Sequence, residues 1–246
     1  IGVLHRVAAH MYDSYEIVGA VFSPEFEESL DFAREIDIPI NRIYKDFDTL
    51  VEEEMKLPAS ERMQVCSIQT PNFLHFPMAK KLLDNGFHVI CEKPMTTTYE
   101  EARILEEAHE KAGTVFAVTH TYTGYPMIKQ AREMITSGVF GKIRKVVVEY
   151  PQGWLSTPLE RTGQQQATWR TDPKRSGKAG SVGDIGTHAE NLAETITGLR
   201  ITELSADVTT FVEGRLLDDD ANVLLRFDNG AKGVLHCSQI SAGEEN

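Results

Sequence analysis

Val89-Ile90-Cys91-Glu92-Lys93-Pro94 is the stretch on which the reading of this chain turns. Phe87 to Ile90 is short, mostly apolar and strand-like, and it runs into an acid, a lysine and a proline. A buried strand therefore stops abruptly at its carboxyl end, which is where open α/β sheets bind ligands. A lysine held there against apolar residues can be partly desolvated and can aim its ammonium at a reacting oxygen. An arbitrary lysine after a strand is simply a solvated surface group, so the functional reading depends on what surrounds this one.

On the amino-terminal side, Met63 to Gln69 reads as a strand ending at Thr70-Pro71-Asn72, and Phe73 to Asn85 as a helix closed by Gly86. Further back, Tyr15 to Phe22 is apolar and β-branched enough for a buried strand, and Pro24 to Ile36 follows as a helix opened by acids. Arg42 to Tyr44 reads as a short strand and Asp46 to Met55 as an amphipathic helix. Ile1 to Tyr12 already reads as mid-helix with no capping signal before it, so the first strand is expected to be missing and the start to be cut. Beyond Pro94, Thr97 to Ala112 reads as a helix closed by Gly113, and Thr114 to Val118 as a strand. Strands alternating with helices at this spacing predict an α/β fold with a parallel, doubly wound, Rossmann-type sheet over residues 1–120.

After His120 the rhythm changes. Pro126 to Ser137 reads as a helix ending at Gly138, and Lys142 to Tyr150 as a long alternating strand. Gln152 to Gly180 is polar and too long for a plain connection, which marks a functional excursion. Ile185 to Thr197 is a helix closed by Gly198. Three strands follow, Leu204 to Val212, Ala221 to Phe227 and Ala231 to Gln239, the last two joined by Asp228-Asn229-Gly230, a hairpin signal. Residues 121–246 are thus expected to form an α+β domain with a large, mostly antiparallel open sheet, cut again near Ser241 to Asn246.

The 246 residues, 41% of them hydrophobic, suffice for a substantial core. The formal charge of −12 falls mainly on residues 1–120, which carry 11 Lys and Arg against 21 Asp and Glu. No basic face is left for nucleic acid. Cys66, Cys91 and Cys237 stand singly, a usage that fits reduced thiols in a cytoplasmic protein with no metal site. No apolar run reaches the ~18 residues of a membrane span.

Three points carry chemistry: Glu92-Lys93-Pro94, Thr70-Pro71-Asn72 with His75 at the preceding strand end, and Gly183-Asp184-Ile185-Gly186-Thr187-His188 opening a helix in the second half. Asp184 and His188, four apart, project from one face of a helix. A carboxylate beside an imidazole can fix its tautomer and suit it to general-base work near neutral pH, although such a pair alone is more often a cap or a surface pair. Likewise, His75 alone is more often a satisfied helix histidine.

Taken together with Trp169-Arg170, and in this order, these motifs resemble those of the glucose-fructose oxidoreductase and inositol dehydrogenase (Gfo/Idh/MocA) family over essentially the whole chain. The resemblance implies a dinucleotide-binding domain followed by a substrate domain whose open sheet builds a homodimer or homotetramer. It also implies roles: Lys93 stabilising a developing alkoxide, His188 taking the hydroxyl proton, Asp184 holding His188 and the substrate, and hydride passing to the nicotinamide. Thr70, Asn72, His75, Glu92, Lys93 and Pro94 would line the cofactor, and Tyr122 would stand near the substrate, with His120 beside it.

The family's glycine-rich turn is absent from the sequence, and where an acid would grip the ribose of NAD stands Phe22-Ser23-Pro24. Ser23 tolerates a 2′-phosphate better than an acid does, yet no arginine follows to clamp one, so the cofactor is read as NAD or NADP with NAD favoured. Trp154, Gln165, Trp169 and Arg170 in the excursion supply the aromatic face and donors that suit a sugar or cyclic polyol; the tryptophans read equally well as packing anchors. The resulting expectation is an NAD(P)-dependent dehydrogenase, with an NAD-dependent glycoside hydrolase and a non-catalytic nucleotide-binding regulator as alternatives.

Overall fold

The computed structural model describes residues 2–243 and divides the chain into two compact units that interleave in sequence. The first takes the chain up to Thr70, then Leu74–Glu92 and Glu100–Ala117; the second takes Pro71–Phe73, Lys93–Tyr99 and everything from Val118 onward. The expected helix at the start spans Gly2–His10 (α1), Ile1 lying outside the described residues. It is followed by Phe26–Glu35 (α2) and Phe47–Lys56 (α3), the latter capped by the Asp46 carboxylate, which accepts from the Thr49 backbone N–H at 2.7 Å. Next come Val65–Ile68 (β1), His75–Asp84 (α4), His88–Cys91 (β2), Tyr99–Ala112 (α5) and Phe116–Val118 (β3). The strands lie side by side in the order β1-β2-β3, with β1 and β2 parallel and Ile68 opposite Cys91.

Tyr15 to Phe22 does not form the strand its composition suggests. Ala20 alone makes a parallel bridge, to Ile43. A strand needs a ladder partner along its length, and here contact narrows to one point, where Gly19 approaches the Arg42 carbonyl so closely that a β-carbon would stand 2.8 Å from it. Ile17, Ala20 and Phe22 still pack on the buried Ala33, Ile38 and Ile43, so the apolar signal reports burial and not pairing. Beside them the carboxylate of Glu54, 1% exposed, takes two hydrogen bonds from Arg42 Nη2 (2.6 and 2.7 Å), one from Arg42 Nε (2.9 Å), one from the Tyr44 hydroxyl (2.7 Å) and one from Met63 N (2.6 Å).

In the second unit, Pro126–Thr136 (α6) and Lys145–Pro151 (β4) precede an excursion that carries two short helices, Gln165–Arg170 (α7) and Pro173–Ser176 (α8). Thr187–Thr197 (α9) ends at Gly198, whose φ of 69° is left-handed and favours glycine. Ile201–Thr209 (β5), Asp220–Phe227 (β6) and Lys232–Ser238 (β7) complete a four-stranded sheet of order β4-β7-β6-β5, antiparallel except for the β4–β7 pair. β5 stops short of the expected Val212 because the Asp219 carboxylate takes the Phe211 and Val212 N–H groups at 2.8 and 2.9 Å, drawing the chain out of the ladder. One face of the sheet packs Leu225, Phe227, Leu235 and Cys237 against Ile185 and Ala189. This packing is tight: a β-carbon on Gly186 would lie 3.1 Å from the Cys237 sulfur.

Candidate active site

Lys93 follows directly on β2, where the Glu92 N–H continues the ladder to the Ile68 carbonyl at 3.0 Å. The Lys93–Pro94 peptide bond is cis. The lysine side chain is 13% exposed, and its ammonium donates at 2.7 Å to both the carbonyl oxygen and the Oδ1 of Asp184. Asp184 lies in a single π-helical turn, Val182–Gly186, that leads into α9. Its second oxygen accepts from Arg170 Nε at 3.1 Å and from Gln239 Nε2 at 2.9 Å. Burial works to raise the Asp184 carboxyl, but the cations Lys93 and Arg170 and their hydrogen bonds outweigh it and hold the group below the ordinary carboxylate range. Lys93, Arg170 and Gln239 all donate to this carboxylate, partners that the spacing of Asp184 and His188 does not reveal.

His188, 8% exposed in the first turn of α9, sits among aromatic rings. Tyr122 meets it edge-on at a centroid distance of 4.7 Å, His120 at 5.8 Å, and Tyr150 lies tilted at 6.2 Å. The hydroxyls of Tyr122 and Tyr150 are hydrogen-bonded to each other. Burial first, and then the bond to Tyr122, push the Tyr150 phenol upward, so it stays neutral and can position a neighbour but not carry charge. Arg170 stacks its guanidinium 4.2 Å from the Trp169 ring centroid and 6.0 Å from that of Trp154, and Trp154 donates to Gln152 Oε1 at 3.0 Å. Lys93, Tyr122, Trp154, Trp169, Arg170, Asp184 and His188 all belong to the second unit.

The other motif residues are placed differently. His75 is fully buried, and its Nε2 bonds the Thr70 carbonyl at 2.8 Å, locking the turn after β1. Asn72 donates to the Ser176 carbonyl at 3.3 Å and so ties that turn to α8 within the second unit. Glu92 accepts from His5 Nε2 at 2.8 Å, and the other nitrogen of His5 bonds the Ser67 hydroxyl at 2.9 Å. Ser23 donates its hydroxyl to Glu28 Oε2 at 2.7 Å. Ser23 and Glu28 lie just beyond the Ala20–Ile43 bridge, and a hydroxyl beside a carboxylate presents polar groups that can meet ribose hydroxyls, so with Glu92 after β2 these residues of the first unit fit a nicotinamide dinucleotide.

Gln239, Tyr150, His5 and Glu28 were not singled out by the sequence. Gln239 lies 55 positions from Asp184 and His5 lies 87 from Glu92, so neither has a local signature. Glu28 could have been found, since an acid five positions past Ser23 stands in the first turn of α2.

The chain belongs to the Gfo/Idh/MocA family. Residues 2–120 match the family model described as oxidoreductase family, NAD-binding Rossmann fold, and residues 128–246 match the GFO/IDH/MocA C-terminal domain. The chain is 33% identical over 246 residues to the uncharacterized oxidoreductase YfiI of Bacillus subtilis, covering 99% of the chain and 62% of that protein. It is 28% identical over 207 residues to levoglucosan dehydrogenase of Pseudarthrobacter phenanthrenivorans, covering 75% of the chain and 51% of that protein. The crystal structure of an inositol dehydrogenase homolog from Azotobacter vinelandii complexed with NAD+ superposes with a TM-score of 0.94 at 37% identity, over 99% of the chain and 62% of that protein. The Azotobacter homolog has also been solved with NADH and myo-inositol. The chain therefore spans less than two thirds of the length of these relatives.

Proposed function

We propose that the protein is a dehydrogenase that exchanges a hydride between a carbinol carbon of a sugar or cyclic polyol and NAD, with residues 1–120 holding the dinucleotide and 121–246 the substrate. The observation that carries this reading is the Lys93–Asp184 ion pair beside the aromatic-walled His188 in one compact unit. Removing a hydride from a carbon that bears a hydroxyl requires the O–H proton to leave as well. His188 accepts that proton on an imidazole nitrogen, and the Lys93 ammonium donates to the oxygen as negative charge builds on it. Asp184 has both oxygens engaged by cations and an amide and is held ionised, so it aims Lys93 and Arg170 and leaves proton transfer to the imidazole. NAD, when bound, supplies the hydride acceptor.

The Ser23–Glu28 pair supports NAD over NADP, because a carboxylate at that hydroxyl repels a 2′-phosphate. The Arg170 guanidinium stacked by Trp169, with Trp154 nearby, supports a ring-shaped polyhydroxy substrate. Levoglucosan, in the name of one relative, and the myo-inositol bound by the Azotobacter homolog belong to the same class. The exposed Val147 and Leu224, both paired with Val234 on the face turned away from Leu225 and Cys237, supply apolar surface for a homo-oligomer. The three free cysteines fit a cytoplasmic protein, and no helix among the described residues is long and apolar enough to cross a membrane.

The test is a screen of monosaccharides, anhydrosugars and inositols with NAD and NADP, followed by absorbance of the reduced nicotinamide. Reduced cofactor released in proportion to turnover supports the dehydrogenase. Product formed without net reduction would favour the glycoside hydrolase instead, and no turnover on the whole panel would reject the substrate class.

A further inference from the structure

Asp218, in the connection between β5 and β6, lies 34 positions from Asp184 in the chain, and no motif marks it. Its carboxylate accepts from Gly180 N at 2.6 Å, Ser181 Oγ at 2.7 Å and Val182 N at 2.8 Å, and its carbonyl accepts from Ser181 N at 2.9 Å. These are the residues that open the π-turn. Gly180, gripped through its N–H, offers its carbonyl to the Asp184 N–H at 2.9 Å. A second route starts at the adjacent residue: the Asp219 carbonyl accepts from Gln239 N at 2.8 Å, and the Gln239 side chain donates to Asp184 Oδ2 at 2.9 Å. Asp218-Asp219 thus reaches Asp184 once through its backbone and once through its carboxylate. Gly180 has no room for a side chain, because the Asp218 carbonyl occupies the place of its β-carbon.

We propose that Asp218 is a positioning residue that sets the Asp184 acceptor for Lys93, and through it the aim of the Lys93 ammonium. The proposal rests on the reading of Lys93 and Asp184 as the charged pair of the active site. An ordinary helix cap satisfies orphan N–H groups and contributes stability alone. Here the capped turn is a π-turn whose third residue presents both its carbonyl and its carboxylate to Lys93, so a small displacement of the turn moves two of the ammonium's acceptors together.

The test is competitive acetylation of lysines in the intact protein, read residue by residue by mass spectrometry, which needs neither cofactor nor turnover. Asp218→Asn keeps the shape but turns an NH2 toward backbone donors. It is expected to speed acetylation of Lys93 roughly threefold or more relative to Lys80 and Lys145. Asp184→Asn frees Lys93 directly, and Asp218→Asn added to it should then have no further effect. Ser181→Ala removes one bond only and should give a smaller change in the same direction, which keeps the test open if Asp218→Asn folds poorly. An unchanged Lys93 in Asp218→Asn or, should that variant not fold, in Ser181→Ala, an equal acceleration at all lysines, or additivity in the double variant would each overturn the proposal. Turnover that survives Asp184→Asn would instead reject the catalytic reading and leave the acetylation result standing, so the two can fail separately.

Discussion

The Lys93 ammonium lies 2.7 Å from two oxygens of one residue, the carbonyl and the carboxylate of Asp184. Two acceptors on a single turn fix the direction of the side chain more firmly than one surface ion pair does. Lys93→Ala should therefore lower kcat by about 10² or more while changing NAD affinity only a few fold. Steady-state kinetics together with calorimetric titration of NAD would check both halves, and near-normal turnover would remove Lys93 from the chemistry.

His188 is enclosed by Tyr122, Tyr150 and His120, and the neutral imidazole is the form that accepts a proton. The oxidation rate should rise with pH as that ring loses its proton. His188→Gln keeps a hydrogen-bonding side chain of similar reach but cannot act as a base. It should remove the pH limb and cost about 10² to 10⁴ in rate. Retention of both the rate and the limb would assign the base to another residue.

Glu28 is the acid that meets Ser23 at the expected ribose position. Glu28→Gln removes the charge and keeps the length. The ratio of NADP to NAD dissociation constants should fall by about 10-fold, equivalent to ~1.4 kcal/mol. Fluorescence titration with the two reduced cofactors reads this directly, and an unchanged ratio would mean that the pair only caps α2.

Buried Glu54 resists its own desolvation, which acts to raise its pKa, because Arg42, the Met63 N–H and the Tyr44 hydroxyl more than offset it and leave the group below its ordinary value. A depressed folded-state pKa contributes stability above the unfolded value of ~4.3, and that contribution is lost as pH falls through the folded value. Glu54→Gln should cost about 3 kcal/mol at neutral pH, since it leaves Arg42 without its anion, and the deficit should shrink in acid. Urea unfolding at neutral pH and below pH ~4 would detect it; equal losses at both would mean that the carboxylate's charge contributes nothing.

The alternation of strands and helices in the first half and the two strand ends that carry motifs were legible because they depend on local pattern: an apolar run of four residues, then Glu92-Lys93-Pro94 or Thr70-Pro71-Asn72. Asp184 and His188 were legible as a helix opening for the same reason. The bonds to Asp184 from Lys93, Arg170 and Gln239 were not, since they come from three distant segments and leave no mark in the spacing of Asp184 and His188. Tyr15 to Phe22 misled in the opposite direction, since burial without a neighbouring strand gives the same apolar signal as a paired strand.

Gly186 and Cys237 limit each other in evolution. A β-carbon at 186 meets the Cys237 sulfur at 3.1 Å, and Cys237 is fully buried. A lineage that enlarges position 186 must move the sulfur by a few tenths of an ångström or shrink residue 237. Among relatives, alanine at the first position should thus keep company with glycine or alanine at the second, a correlated substitution arising from a single interatomic distance and not from catalysis.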